Sequence, residues 1–340
     1  MRTILFVILT LLSFHFLAAQ DFSLIDTHSK TVPSSESKTV ESLTAFLNKP
    51  TTTDLEKVRA YYVWIANNIN YDTKTFFSGK SGIETSPQET LKKKKAICQG
   101  YSELFRALCQ YSQIPCYLVD GYSKGYGYKP GKKFAQSDHA WNVVFVDNKW
   151  QLIDATWASG YMDESLHFKK LFTNEYFLTQ PAEFVKKHLP SDPMWQLLAH
   201  PISMECYLKG DAEIAKCNSG IGSEFVFADS IQEYGKLSYE MQQVVSAERA
   251  YNFYPENVDA PGYAYLNLAF VESNGLNELY DNKNYQQALE RCQKALELNE
   301  KAYSYLKRSK TPNGKAAVDI CKQNISSLKE SIRSLQNILK

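Results

Sequence analysis

The sequence has almost no net charge: 38 Lys and Arg stand against 37 Asp and Glu, a formal charge of +1 at pH 7. Arg2 is the only charged residue among the first twenty, so a chain lacking them would carry 37 of each sign. No basic face is therefore expected, and nucleic acid or an anionic membrane is excluded as the natural partner. Metal-ligand spacing is missing too. His167, His188 and His200 have no partner at such spacing, which assigns them surface or structural roles. No metal and no cofactor are expected. A 34-residue period is also absent, which excludes a helical repeat array.

What is present begins with an apolar run from Ile4 to Phe14, followed by the small residues Ala18 and Ala19. This pattern predicts a secretory signal peptide over residues 1–20 and hence a periplasmic or extracellular protein. The run, interrupted by Ser13 and His15, is short for a spanning helix, so no integral membrane segment is expected after cleavage. No cysteine sits at the junction for lipid attachment. The 340 residues, 44% of them hydrophobic, allow a sizeable core in two domains. Seven cysteines in an exported chain leave at least one unpaired, and Cys98 is the natural candidate. The other six read as small buried apolar residues or incidental bridges.

Cys98 precedes a stripe of Tyr101, Leu104, Phe105 and Leu108 at i, i+3, i+4 and i+7, the pattern of a core-facing helix. The cysteine thus opens a helix, where unpaired N–H groups and the macrodipole favour an anion, and Lys92 to Lys95 are expected to add positive charge. His139 to Val146 reads as a strand, Asp147-Asn148 as a tight turn and Lys149 to Asp154 as the returning strand. With the turn centred on 147 and 148, Trp141 faces Asp154, and His139 lies one diagonal step away on the same face. A nucleophile, a base and an orienter follow: Cys98 attacks, His139 takes its proton and Asp154 holds the imidazole.

These residues stand as Cys98-Gln99-Gly100-Tyr101, Asp138-His139-Ala140-Trp141-Asn142 and Trp150-Gln151-Leu152-Ile153-Asp154-Ala155-Thr156-Trp157. In this the chain resembles the transglutaminase-like superfamily, with its cysteine at a helix start, its H-A-W-N strand and its W-x-x-x-D-x-T-W strand. The likeness runs from about residue 45 to 200, taking in Tyr62 to Asp72 and His188 to Leu198, and is greatest to the branch related to the kyphoscoliosis peptidase. It implies a papain-like α+β core, with N-terminal helices packed on an antiparallel sheet, and acyl-transfer chemistry on a protein or peptide substrate. The reaction expected is peptide or amide hydrolysis. Protein crosslinking by transamidation, or a binding module without activity, is the alternative. The absence of any C-x-x-C pair sets the chain apart from zinc-bearing peptide:N-glycanase relatives of the superfamily.

Around this core the expected organisation is an exposed arm over 21–50, rich in Ser, Thr and Lys, a catalytic domain over 51–200 and an all-α domain over 201–340. Asp54 to Asn70 follows a Thr-Thr-Thr-Asp cap signal and places Val58, Tyr61, Tyr62, Ile65 and Ile69 at helical spacing. Ser123 to Ser137, with three glycines, three aromatics and four lysines, runs into His139 and is a candidate wall of the substrate cleft. Farther on, Phe225 to Tyr251 and Ala264 to Glu278 read as helices, and Asn284 to Asn299 is similar to the second helix of a single tetratricopeptide unit. This domain either binds a protein partner or buttresses the catalytic half.

Overall fold

The computed structural model describes residues 20–79, 82–220 and 224–340, so the expected signal peptide falls, apart from its last residue, outside the described residues. The architecture is α+β, and it corrects the reading of residues 21–50. They form two helices, α1 (Ser23–Lys30) and α2 (Val40–Leu47), the second matching the helical segment its sequence suggests, and the buried Ile25, Leu43 and Leu47 show that the stretch is not an exposed arm. The Ser, Thr and Lys content that suggested an exposed arm describes only their outer faces. The inner face is locked by Arg59, buried in α3 (Asp54–Asn68), whose Nε and Nη2 donate to Asp26 Oδ1 and Oδ2 at 2.7 and 2.6 Å. The guanidinium also lies against the Phe22 and Phe177 rings. Removing the carboxylate would strand a buried cation. Asp26→Ala should lower the free energy of unfolding by roughly 3 kcal/mol, read as a reduced urea midpoint at unchanged slope.

Helix α3 starts where the cap signal placed it. Thr53 accepts from Glu56 N–H, and the Glu56 carboxylate accepts in return from Thr53 N–H, a reciprocal cap. Its next residues form β1 (Asn70–Tyr71) and the short α4 (Thr73–Phe77). Then come α5 (Pro87–Lys93), β2 (Lys95–Ala96) and α6 (Cys98–Tyr111). The parallel pair β1–β2 sets Tyr71 beside Ala96, two residues before Cys98. From α6 the stripe Tyr101, Leu104, Phe105 and Leu108 enters the same core as Tyr61, Tyr62 and Trp64 of α3.

The four-stranded antiparallel sheet combines β3 (Cys116–Ser123), β4 (His139–Val146), β5 (Lys149–Ile153) and β8 (His188–Pro190) in the order β5-β4-β3-β8. Between β5 and β8 lie the small hairpin β6 (Gly160–Met162) with β7 (Phe168–Lys170), and the helix α7 (Pro181–Phe184). In the β4–β5 hairpin Asn142 pairs with Ile153 and Val146 with Lys149, the register the sequence predicts, with Asp147 and Asn148 both at positive φ. The far end of strand β3 pairs with β8 as well, Gly121 with Pro190 and Ser123 with His188. That crowding needs glycine. A Cβ on Gly121 would lie 2.3 Å from the Trp141 ring and 2.4 Å from the Leu189 carbonyl oxygen.

The chain continues as helices: α8 (Met204–Lys209), α9 (Asp211–Asn218), α10 (Phe227–Gly235), α11 (Tyr239–Phe253), α12 (Asp259–Ser273), α13 (Leu276–Asp281), α14 (Tyr285–Leu306) and α15 (Pro312–Ile338). The stretch expected as one helix from Phe225 to Tyr251 is two, because Ser238 caps a new start by accepting from Met241 N–H. These helices are tied to the sheet. Tyr234 stacks edge-on against Tyr117 and Trp195, Arg249 pairs with the buried Asp192 at 2.9 Å, and Asn257 Nδ2 donates to Tyr122 Oη. Among the described residues, no helix is long and apolar enough to cross a membrane.

Candidate active site

The site is assembled where α6, β4, the end of β5 and β8 converge. Cys98 is the first residue of α6, half-buried and free of any disulfide. Ile97 before it provides no side-chain cap, in contrast to Thr53 on α3 and Ser86 on α5. Gly100 N–H and Tyr101 N–H donate to the Ile97 carbonyl, so the donors left at this helix start are the N–H groups of Cys98 and Gln99. The lysine run does not add the charge expected of it. Lys92 and Lys93 pair with Glu89 and Lys95 with Asp72, while Lys94 lies over the Trp64 ring and donates to the Ser37 carbonyl. Burial pulls the Lys94 ammonium down to about 8.

His139 opens β4, and Asp154 follows β5 directly. Both are buried, and His139 Nε2–H donates to Asp154 Oδ2 at 2.8 Å. With Nε2 committed, Nδ1 is the ring nitrogen left for Cys98, which favours the charged imidazole. Burial works against the imidazolium, but the Asp154 charge and hydrogen bond, reinforced by Cys98, outweigh it and push His139 up to about 10. Burial likewise works against the Asp154 carboxylate. The charge and hydrogen bond of His139, then those of His188, hold it well below the usual range.

His188 is the residue that sequence reasoning missed. It was assigned a surface or structural role without a partner, yet its Nε2–H donates to the same Asp154 Oδ2 at 3.0 Å, and it is fully buried. Its ring lies 4.2 Å from both Phe184 and Trp157, centroid to centroid. Its Nδ1 has no hydrogen-bond partner. Burial therefore lowers His188 to about 4 in spite of Asp154, and it stays neutral beside a charged His139. No spacing rule could have found it. It lies 34 residues from Asp154 and arrives only because β8 pairs with the far end of β3.

The remaining acceptor sites of Asp154 are filled by the backbone, its Oδ1 taking the N–H groups of Thr156 at 2.7 Å and Trp157 at 3.0 Å. Ligand atoms of His139, Asp154 and His188 all lie within 4.8 Å of one another, the one such metal-ligand group among the described residues. It does not fit a metal centre. Both imidazole Nε2 atoms are spent as donors to one oxygen, all three residues are buried, and a catalytic zinc needs an open coordination position. The set is a hydrogen-bond network around one carboxylate.

Residues 41–155 match the model of the transglutaminase-like superfamily. Kyphoscoliosis peptidase from Homo sapiens is 37% identical over 187 residues, 54% of this chain and 28% of its own length. The Mus musculus protein of that name is 41% identical over 153 residues, 44% of this chain and 23% of its length. Hillarin from Drosophila melanogaster is 31% identical over 199 residues, 54% of this chain and 24% of its length. This chain therefore spans between 23% and 28% of the length of these relatives. Residues 41–155 thus form a transglutaminase-like domain, of papain-like fold, and the chain is similar there to the branch related to kyphoscoliosis peptidase.

Proposed function

We propose that the protein is a cysteine-dependent enzyme that hydrolyses peptide or amide bonds, with Cys98 as nucleophile, His139 as proton carrier and Asp154 as orienter. The observation that carries this reading is the Asp154–His139 pair, which leaves His139 Nδ1 for a cysteine at an uncapped helix start. In acylation, Cys98 Sγ bonds to the substrate carbonyl carbon. His139 gives its proton to the departing amine as the C–N bond breaks. Water then attacks the thioester, loses a proton to His139 and releases the sulfur. The Cys98 N–H is one donor to the oxyanion.

Hydrolysis rather than amine transfer is supported by likeness to proteins named peptidases. The lysines of the loop over 123–137, a cationic edge that would repel an incoming ammonium, give weaker support. Lys132 and Lys187 on the cleft pair with Asp138 and Glu175, so the rim is closer to neutral than the loop sequence suggests. The test is a peptide-cleavage assay run beside incorporation of a labelled primary amine into a glutamine-containing protein. Cleavage lost in Cys98→Ala is the expected result. Cys98-dependent incorporation without cleavage would establish transamidation instead.

Cys98 should also be the fastest cysteine to alkylate. Brief iodoacetamide treatment near pH 6.5, followed by peptide mass spectrometry, should label Cys98 ahead of Cys116, which is also half-buried but has no imidazole partner. Equal labelling of the two would remove the case for an activated thiol.

Export follows as part of the same proposal. It is supported by the apolar N-terminal run and by the bridge joining Cys206 and Cys217, a bond suited to an oxidising compartment. The helices from α10 onward, locked onto Tyr117, Tyr122 and Asp192, act in this reading as a buttress for the sheet that carries His139.

A further inference from the structure

A cavity of about 650 Å³ opens beside His139, and its walls are more aromatic than water exclusion alone requires. One wall is a chain of rings. Tyr71, Phe76, Phe77 and Tyr126 follow one another at centroid separations of 5.7, 5.1 and 5.9 Å, and Phe168 of β7 meets Tyr71 at 6.4 Å. Phe76, Phe77 and Tyr126 are 41%, 45% and 51% exposed. Phe76 and Tyr126 line the cleft and Phe77 joins them, so the three half-open rings offer an apolar surface suited to a ligand.

The wall is held at a set position relative to Cys98. Asp72 caps α4 by accepting from Thr75 N–H and Oγ1, its own N–H donates to the Ala96 carbonyl, and its carboxylate pairs with Lys95 at 3.1 Å. Tyr71 pairs in β1–β2 with Ala96. Phe76 is thereby fixed to the segment that leads directly into Cys98. Met162 of the β6–β7 hairpin lines the same cavity as Phe168. Gly125, beside Tyr126, lets the loop close on the site, since a Cβ there would lie 2.7 Å from the Trp157 ring.

We propose that this aromatic wall is a specificity subsite, which takes one large apolar side chain, aromatic by preference, of an extended polypeptide whose scissile amide lies at Cys98. The proposal rests on the hydrolase reading for the identity of the scissile bond. It does not rest on it for binding. Folded proteins bury such side chains, so the substrate class is polypeptide in extended or unfolded segments. Phe76, Tyr126 and Phe168 supply ring faces and edges for offset or edge-on stacking. At the rim Lys132 pairs with Asp138 and Lys187 with Glu175, while Lys124 lies over the Tyr128 and Tyr207 rings.

The experiment uses the full chain carrying Cys98→Ala, so that binding is measured without turnover. Fluorescein-labelled hexapeptides that differ only in one residue, Phe, Leu, Ala or Glu, are titrated and followed by anisotropy. Phe should bind roughly ten- to a hundredfold more tightly than Ala, the range expected for burying such a side chain, and Glu no better than Ala. Adding Phe76→Ala or Tyr126→Ala should reduce the preference to a few-fold at unchanged circular dichroism. Both residues are exposed enough for truncation to leave the fold intact. A Phe preference unchanged in both variants, or equal binding of Phe and Ala, would overturn the subsite. Selective binding together with an absence of cleavage by the unsubstituted enzyme would uphold it and reject the hydrolase reading instead.

Discussion

Asp154→Asn should lower turnover by about 10³–10⁴-fold while leaving substrate binding nearly unchanged. The carboxylate has two tasks that an amide cannot perform. It carries the negative charge that keeps His139 protonated against the pull of burial, and it accepts four hydrogen bonds at once, from His139, His188, Thr156 N–H and Trp157 N–H. Asn retains the shape, but its NH₂ group donates where one of these donors now points. With the charge gone, His139 should titrate well below its present value near 10. The alkaline limb of the activity profile, which reports loss of the proton needed by the departing amine, should shift to lower pH by the same route. Full activity in Asp154→Asn would mean that another residue orients His139.

The second large effect belongs to His188. Replacement by Phe keeps a ring between Trp157 and Phe184 but removes the N–H on Asp154 Oδ2, and should lower turnover by roughly tenfold as the carboxylate loses one of its fixed donors. The pH dependence of stability gives a separate readout. His188 is depressed to about 4 from an unfolded value near 6.5, so its contribution is complete above 6.5 and is lost as pH falls from there toward 4. His139 is raised to about 10, so its contribution is complete below 6.5 and is lost as pH rises through 10. Asp154, held low, contributes above its unfolded value near 4 and loses that contribution only in stronger acid. Between pH 6.5 and 4 the decline therefore comes from His188 more than from its neighbours. Urea midpoints measured across that window should flatten in His188→Phe. An unchanged slope would show that His188 is not the buried neutral group that the geometry makes it.

The hairpin that carries His139 and Asp154 could be read from the sequence because its information is local. Alternating apolar residues, a two-residue Asp-Asn turn and the period-two side-chain pattern suffice to set the register. The start of α6 at Cys98 is equally local, a helical stripe with a definite first residue. Three features were hidden for the opposite reason. His188 acquires its role through the long-range pairing of β8 with β3. Residues 21–50 bury a face too narrow, at Ile25, Leu43 and Leu47, to stand out against Ser, Thr and Lys. Lys94 and Lys95 read as free charge because the Trp64 ring and Asp72 meet them only in the folded chain, whereas Lys92 and Lys93 pair locally with Glu89 at i,i+3 and i,i+4. The aromatic composition of the cleft was half visible: the loop over 123–137 was expected to line it, but the facing rings of α4 and the β6–β7 hairpin were not.

The central claim is that a thioester forms on Cys98 and is resolved by water, and intact-protein mass spectrometry during turnover of a peptide ester tests it most directly. A slow-leaving-acyl substrate quenched in acid within the first turnovers should add the mass of the acyl group to one site, mapped to the peptide containing Cys98. The adduct should decay to free acid in buffer and be absent in Cys98→Ala. Cleavage proceeding at the same rate in Cys98→Ala, or an acyl group found on any other residue, would contradict the account.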